Sequence, residues 1–256
     1  MPPSDRSLRL TLLGGTPLAG AFLFLGAPDV AEVMAGAGLP LLIVDREHAA
    51  ADLSGALHEL RAIRSVSDAF VLARARDGSP GAIKPLLDAG FDGVMVADVR
   101  SAAQARAIAE AARYAPLGRR GAQFTVSRAA GYGAETGHPA RANAGLLVAV
   151  MIESRAGLEA IPEIAAVPGI DLLFLGPLDL TTDYGTFGDL TSPELTGALR
   201  RAEAAVRASG KMLGGACLPG ETAQDLFARG HALVSATSDV GLLREAANRA
   251  VQAIQP

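Results

Sequence analysis

Short aliphatic runs recur along the chain, and amphipathic segments lie between them. We interpret eight of these runs as strands, at residues 21–24, 41–45, 70–74, 93–97, 146–152, 172–176, 212–216 and 232–236. They are apolar throughout rather than alternating, which is typical of parallel strands buried on both faces. The segments between them, such as residues 101–114 and 192–210, carry apolar residues at three- and four-residue spacing, which predicts helices.

Eight buried strands that alternate with helices predict an α/β fold, namely a single (β/α)8 TIM barrel. A doubly wound open sheet is the alternative. No linker divides the 256 residues, so one domain over residues 1–256 is predicted. The connection at residues 115–140 is too long and glycine-rich for a plain turn, and such segments are usually lids or subunit contacts.

Composition removes several classes of function. A net charge of −4 and a pI near 5.6 leave no basic surplus for nucleic acid. Cys217 is the single cysteine, which excludes an intramolecular disulfide and a multi-cysteine metal site. The apolar run at residues 10–27 has the look of a signal peptide, but internal glycines and a proline break it, and we interpret its second half as a first strand. A cytoplasmic protein without membrane spans is predicted.

Ionisable residues follow several of the predicted strands. In a (β/α)8 barrel the active site forms where strands end, so charge at these positions indicates chemistry. The residues concerned are Asp45 at the end of the second strand with Glu47 and His48 just after it, Arg74 at the end of the third, Glu153 after the fifth, and Asp179 after the Gly176–Pro177 turn of the sixth.

Glu153 and Asp179 follow neighbouring strands, and two carboxylates form a hard-oxygen site suited to Mg²⁺ or Mn²⁺. For either residue alone, capping of the following helix is an equal alternative. A divalent ion there would bind a 2-oxo acid and stabilise its enolate, which is aldolase chemistry. The Schiff-base route needs a lysine at a strand end, and neither Lys84 nor Lys211 has that position.

The same residues carry a family resemblance. The segments LLIVDREHA, FVLARARDGSPGAIKPLLDAG, RYAPLGRRG, VMIES and LFLGPLDLTTDYG, in this order, resemble the class II pyruvate aldolases of the HpcH/HpaI family. That family includes 4-hydroxy-2-oxoheptanedioate aldolase and 2-dehydro-3-deoxyglucarate aldolase, and the resemblance spans about residues 18–254. It implies a barrel of the phosphoenolpyruvate/pyruvate-domain type, usually in a homo-hexamer. It also implies cleavage of a 4-hydroxy-2-oxo acid to pyruvate and an aldehyde with Mg²⁺, Mn²⁺ or Co²⁺ and no organic cofactor.

The resemblance assigns roles to single positions. Glu153 and Asp179 match the metal ligands, and Arg74 matches the arginine that contacts the keto oxygen of pyruvate. His48 matches the proposed base, and Asp88 matches the carboxylate that pairs with it.

Two further groups of residues are expected to support the site. Asp45 and Glu47 hold metal-bound waters or the histidine, or else form a structural network at the strand end. The tight turn at Gly176 and Pro177 exposes backbone amides around Leu178 and Asp179, which are expected to receive the pyruvate carboxylate.

The chain departs from the family pattern at four places. Arg46 stands where glycine is common, and it either adds a cation near the mouth or points to solvent. Met151 replaces a frequent glutamine, Ala97–Asp98 lies where Val-Pro is usual, and Phe22 stands where tryptophan is often found. These departures put the aldehyde pocket in doubt and leave the metal and enolate groups intact.

Two of the remaining histidines and the cysteine are interpreted as structural. His58 lies in a helical segment, His231 at the entry to the last strand, and Cys217 just after the seventh, while His138 in the long connection is less clear.

Two other functions stay open. An acyl-CoA lyase on a similar barrel would need basic residues for CoA phosphates, and Arg119, Arg120 and Arg128 are candidates. A catalytically silent barrel that binds a sugar acid is the third reading, because fold alone does not decide function.

Overall fold

The computed structural model describes residues 6–254. Its strands are β1 (Leu18–Leu23), β2 (Leu41–Asp45), β3 (Phe70–Ala75), β4 (Gly93–Val96), β5 (Leu147–Ile152), β6 (Leu172–Leu175), β7 (Met212–Ala216) and β8 (His231–Ser238). Each strand pairs in parallel with the next, and β8 pairs with β1, so the sheet closes into a barrel. The predicted (β/α)8 barrel is confirmed, and the open-sheet alternative is wrong.

Twelve α-helices are described within residues 6–254. They are α1 (Leu8–Leu13), α2 (Pro28–Gly36), α3 (Leu53–Val66), α4 (Pro80–Ala89), α5 (Ala102–Ala112), α6 (His138–Gly145), α7 (Arg155–Glu159), α8 (Ile161–Ala165), α9 (Pro177–Asp183), α10 (Pro193–Ala208), α11 (Ala223–Ala228) and α12 (Asp239–Ile254). Several begin as the sequence suggests, with a Ser or Thr side chain that accepts a hydrogen bond from an amide of the first turn, as Ser192 does from Leu195 at the start of α10.

The interior of the barrel is filled by side chains. Alternate strand residues such as Ile43, Leu72 and Met95 point inward and are fully buried. Leu8 and Leu12 of α1 belong to the same cluster, so this helix closes the end of the barrel at which the strands begin. The apolar run at residues 10–27 is therefore shared between α1 and β1. Among residues 6–254 no helix is both long and apolar enough to cross a membrane.

The long connection does not cover the mouth of the barrel. It contains two 3₁₀ segments, Phe124–Val126 and Arg128–Gly133, and leads into α6. Arg120 donates to Asp88 at 2.7 Å and Arg128 to the carbonyl of Ala89 at 2.9 Å, both at the C-terminal end of α4. Because a barrel helix runs antiparallel to its strand, that end lies where the strands begin. These contacts do not support a lid over the mouth of the same chain, and the subunit-contact interpretation stays a prediction.

Helix α12 differs from the other long helices. The helices α3, α5 and α10 bury an apolar face against the barrel, whereas in α12 only Asp239 is buried. Leu243, Val251 and Ile254 are 59%, 45% and 80% exposed. Their spacing puts them on one side of the helix, which leaves an apolar stripe uncovered on this chain.

Candidate active site

The mouth of the barrel brings together most of the residues that follow the strands. Asp45 is the last residue of β2, Arg74 lies near the end of β3, Glu153 directly follows β5, and Asp179 lies in the first turn of α9 after β6. Asp45, Arg74 and Glu153 are buried, whereas His48 and Asp179 are exposed. The site is thus a buried floor of charged groups below an open rim.

Asp45 organises the turn after β2. Its carboxylate accepts hydrogen bonds from the backbone amides of Glu47 at 3.1 Å, His48 at 2.8 Å and Ala49 at 3.1 Å. It also accepts from Nε of Arg74 at 2.6 Å. Burial opposes ionisation, but the hydrogen bond and charge of Arg74, together with the amides, hold the pKa of Asp45 below its usual value. The structure thus supports the predicted network at this strand end.

Arg74 is held from two sides. Its Nη1 lies 3.0 Å from Oε2 of Glu47, and its guanidinium lies 4.9 Å from the ring centroid of Phe22 and 5.6 Å from that of Phe24. Its Nη2 is buried and has no hydrogen-bond partner among residues 6–254. One donor of a fixed cation is thus left available for a ligand.

Three carboxylates face one another across the mouth. Burial, then the charges of Asp179 and Glu47, raise the pKa of Glu153 to about 7. Burial also raises the pKa of Glu47, although Arg74 opposes this. A bound cation would favour the ionised form of Glu153, which burial and the neighbouring negative charges disfavour.

The backbone is shaped to fit Glu153. A Cβ at Gly176 would lie 2.7 Å from Oε2 of Glu153, so only glycine leaves room for this carboxylate. On the other side, the amide of Asp98 donates to Oε1 of Glu153 at 2.8 Å. Asp98 has φ 51°, in the left-handed region, and β4 ends at Val96, one residue earlier than the sequence suggested.

The donor set at the mouth fits a small hard cation. Residues 6–254 contain no group of three or more His, Cys, Asp or Glu side chains arranged to hold a metal. Glu153 and Asp179, whose charges interact, are two carboxylates at this mouth that could bind such a cation. Mg²⁺ is commonly bound in this way, with water and substrate oxygens completing its coordination.

The start of α9 has the predicted turn. Gly176 is the N-cap residue with no side-chain cap, Pro177 is the first helical residue, and Leu178 is 61% exposed. His48 lies nearby on the rim, with its side chain 65% exposed and its Nε2 3.7 Å from Oε2 of Glu47.

The expected pair of His48 and Asp88 is not formed within the chain. Asp88 lies at the end of α4, on the side of the barrel where the strands begin, and it accepts from Nη2 of Arg120 at 2.7 Å. The sequence match could not reveal that Asp88 lies far from His48 in the same chain. Helix α4 carries the chain from the mouth back to the opposite end of the barrel, and Asp88 lies at the end of that helix. The carboxylate beside His48 is that of Glu47.

Arg46 takes neither of the two expected positions. It is half-buried, its Nη1 is enclosed without a hydrogen-bond partner among residues 6–254, and its charge acts on Glu59 of α3. Since strand residues alternate in direction, Arg46 faces the helix layer when Asp45 faces the interior. Met151 lies beside Arg74, with its sulfur 4.0 Å from Nη1 of the arginine.

Lys211, His231 and His138 lie away from the mouth of the barrel. Nζ of Lys211 donates to the carbonyl of Ile170 at 2.6 Å, at the end of the barrel opposite the mouth. His231 is buried, and its Nδ1 lies 3.0 Å from the carbonyl oxygen of Leu226, which gives it an ordinary structural contact. His138 is buried against Tyr114 in the long connection.

Comparison with known proteins agrees with this arrangement. Residues 18–246 match the family model described as HpcH/HpaI aldolase/citrate lyase. The hydroxypyruvate/pyruvate aldolase of Deinococcus radiodurans is 35% identical over 96% of this chain and 89% of the relative. The 4-hydroxy-2-oxo-heptane-1,7-dioate aldolase of Shigella boydii is 34% identical over 95% of this chain and 92% of the relative.

A solved structure shares the whole architecture. An HpcH/HpaI aldolase/citrate lyase family protein from Burkholderia cenocepacia has a TM-score of 0.89 and 33% identity, and covers 97% of this chain and 99% of its own. Members of this family in general depend on a divalent metal, in agreement with the carboxylates at the mouth. The barrel, the residues at its mouth and these relatives together show that the chain belongs to the HpcH/HpaI aldolase/citrate lyase family, as a carbon–carbon lyase.

Proposed function

We propose that the chain is a class II pyruvate aldolase, which cleaves or forms 4-hydroxy-2-oxo acids by way of pyruvate and an aldehyde. The observation that carries the proposal is the buried Arg74, whose Nη2 has no hydrogen-bond partner in the described part of the chain, beside the mutually repelling carboxylates Glu153 and Asp179. This combination provides a fixed positive group and a cation site where an enolate must be stabilised.

Glu153 and Asp179 would hold the divalent ion, which is Mg²⁺, Mn²⁺ or Co²⁺ in this proposal. When bound, such an ion supplies Lewis-acid stabilisation of negative charge on the keto oxygen. Hydrogen bonding by the Asp98 amide fixes one oxygen of Glu153. No organic cofactor is proposed.

Arg74 acts on the keto oxygen of the substrate. Asp45 and Glu47 fix two of its nitrogens, so the free Nη2 needs little reorganisation when charge develops on that oxygen. Removal of a single preorganised donor of this type costs about 10²- to 10³-fold in kcat in other enzymes.

His48 takes the proton of the C4 hydroxyl, directly or through a water. Its backbone amide is held by Asp45, and its exposed ring reaches the rim where the C4 end of a substrate lies. The carbon–carbon bond then breaks, the aldehyde carbonyl forms, and the electron pair remains on the pyruvate enolate. Gly176, Pro177, Leu178 and Asp179 form the turn whose amides receive the substrate carboxylate.

The contacts of the arginines disfavour the acyl-CoA lyase alternative. Arg120 and Arg128 are engaged at the end of α4, and Arg119 pairs with Glu110 at the end of α5. All three therefore lie away from the mouth, where CoA phosphates would have to bind. Burial of the charged groups Glu153 and Arg74 costs folding free energy. A catalytically silent barrel would not need these groups, so their burial disfavours that alternative.

A pyruvate-release assay over a panel of 4-hydroxy-2-oxo acids tests the proposal. Activity should vanish after exhaustive chelation and return with Mg²⁺, Mn²⁺ or Co²⁺, while malyl- and citramalyl-type thioesters should remain uncleaved. Full activity without metal, or a borohydride-trapped pyruvate adduct on Lys84 or Lys211, would overturn it.

Assembly and location complete the proposal. We propose a homo-oligomer, a hexamer by analogy with the family, and the uncovered apolar stripe of α12 supports it. A cytoplasmic location and the lack of nucleic-acid partners rest on the sequence alone.

A further inference from the structure

The guanidinium of Arg74 rests on two stacked aromatic rings. The rings of Phe22 and Phe24 have centroids 5.1 Å apart and planes 13° from parallel. Phe22 is fixed from its other side by Phe174, edge-on at 6.4 Å. The guanidinium thus contacts two aromatic rings as well as the carboxylates of Asp45 and Glu47, and both sets of contacts restrain its orientation.

Phe22 and Phe24 are held in different ways. Phe22 belongs to β1 and is the last β1 residue in register with β8, opposite Ser238. Phe24 lies beyond the end of the strand at Leu23, so the barrel ladder does not fix it. Another group must hold the backbone there if the second ring is to stay stacked.

The carboxylate of Asp239 performs that task. Its Oδ1 accepts from the amide of Phe24 at 3.0 Å, and its Oδ2 accepts from the amide of Leu25 at 2.9 Å. Oδ1 also accepts from the amide of Val240 at 2.7 Å. Asp239 is 2% exposed and directly follows the last β8 residue of the ladder, so its side chain extends the β8–β1 pairing where the backbone ladder stops.

We propose that Asp239 is a positioning residue for Arg74, acting through Phe24. The inference rests on the proposed aldolase function, in which Arg74 stabilises the enolate. Loss of the carboxylate clamp lets Phe24 leave the stack, which widens the range of orientations of the guanidinium. Stabilisation of the transition state then falls more than binding of the ground state, so kcat falls while KM changes little.

The first variants compare Asp239→Asn with Phe24→Leu. Asp239→Asn replaces an acceptor oxygen by an NH₂ group that opposes an amide donor, and Phe24→Leu removes the ring. Both should lower kcat about tenfold and change KM less than about twofold, whereas Phe24→Tyr, which keeps the ring, should retain more activity than Phe24→Leu. The control is Asp225→Asn, which removes a similar carboxylate that accepts from the amide of Thr222 at the start of α11.

A double-mutant cycle separates positioning from general destabilisation. In an Arg74→Lys background, Asp239→Asn should cause less than about a twofold further loss of kcat, because its effect acts through the guanidinium. A full tenfold further loss, or an Asp239→Asn enzyme with wild-type kcat, would overturn the inference.

A second readout separates this inference from the proposed function. Exchange of the methyl protons of pyruvate with D₂O, followed by NMR, reports enolate formation without any aldehyde. Asp239→Asn should slow exchange by the same factor as cleavage, and equal exchange in variant and wild type would contradict positioning. A wild type that neither exchanges pyruvate protons nor cleaves any substrate would instead contradict the aldolase function.

Discussion

Glu59 is a buried carboxyl group with little to neutralise it. It lies on α3, is 1% exposed, and its Oε2 has no hydrogen-bond partner among residues 6–254. Burial raises its pKa from 4.5 to about 7, with Arg46 opposing and Asp239 and Asp45 adding to the rise. The folded state therefore binds a proton that the unfolded state has lost between these two pH values.

This proton makes stability depend on pH. The contribution of Glu59 is fully present below pH 4.5 and is lost as the pH rises through about 7, by at most about 3 kcal/mol. Glu59→Gln cannot ionise, so we expect it to gain stability relative to wild type between pH 5 and 8, measured by urea unfolding. If the difference in free energy of unfolding between Glu59→Gln and wild type were the same at pH 5 and at pH 8, the raised pKa would be contradicted. Gln substitution at the exposed Glu245 is the control.

His48 gives a second prediction at the scale of a single residue. If it accepts the C4 hydroxyl proton, His48→Ala should reduce aldol cleavage by about 10²- to 10⁴-fold. Metal binding, measured by calorimetry, should be largely retained, since Glu153 and Asp179 are unchanged. His58→Ala removes an exposed imidazole from α3 and should have no effect on turnover. Wild-type turnover in His48→Ala would remove this residue from the mechanism.

The sequence predicts some of these residues better than others. Asp45, Arg74, Glu153 and Asp179 were accessible to prediction because each lies at or shortly after the end of a strand, and a parallel barrel brings all strand ends to one rim. Asp239 was not accessible, because its carboxylate acts on amides 215 and 214 positions away in the sequence, where β8 closes on β1. The position of Asp88 was equally inaccessible, since a motif match contains no information about which end of a helix faces the site; its pairing with His48, which is not formed within one chain, stays a prediction.

At the scale of elements, the turn between β6 and α9 depends on one glycine. Gly176 has φ −96°, which any residue can adopt, so its requirement is steric. Gly176→Ala should displace the carboxylate of Glu153, weaken Mn²⁺ binding and lower kcat. Gly197→Ala, in the middle of α10, meets only the end of Arg201 at 3.4 Å and should stabilise the helix by up to about 1 kcal/mol without affecting activity.

Calorimetric titration with Mn²⁺ and a parallel assay would test both glycine variants. Equal Mn²⁺ affinity in Gly176→Ala and wild type would show that Glu153 adapts, contrary to our expectation.

Strands were easier to predict than the connections between them. Apolar runs mark β2, β3 and β5 because both faces of these strands are buried. The path of residues 115–140 depends instead on single side-chain contacts, such as the Asp88–Arg120 pair, for which sequence periodicity gives no signal. The one-domain interpretation of residues 1–256 stays a prediction.

At the scale of the whole molecule, α12 determines the expected assembly. A solvent-exposed apolar stripe on a helix that follows the last barrel strand is typical of a contact between copies. Leu243→Glu combined with Val251→Glu should shift the protein towards smaller species in light scattering at micromolar concentration. Arg244→Glu, which changes charge outside the stripe, is the control. A wild type that is monomeric under these conditions would contradict the proposed assembly.

A barrel that is closed by α1 at one end has a single entrance, and this determines the order in which products leave. Arg74 and Glu153 are 6% and 7% exposed, whereas the side chain of His48 is 65% exposed, so the proposed roles of these residues would put the keto-acid half of a substrate below the aldehyde half. The aldehyde must depart first and pyruvate second. In steady-state cleavage, pyruvate should therefore inhibit competitively against the 4-hydroxy-2-oxo acid, and the aldehyde noncompetitively. The reverse pattern would mean that pyruvate leaves past a bound aldehyde, which the closed floor around Leu8 and Leu12 does not permit.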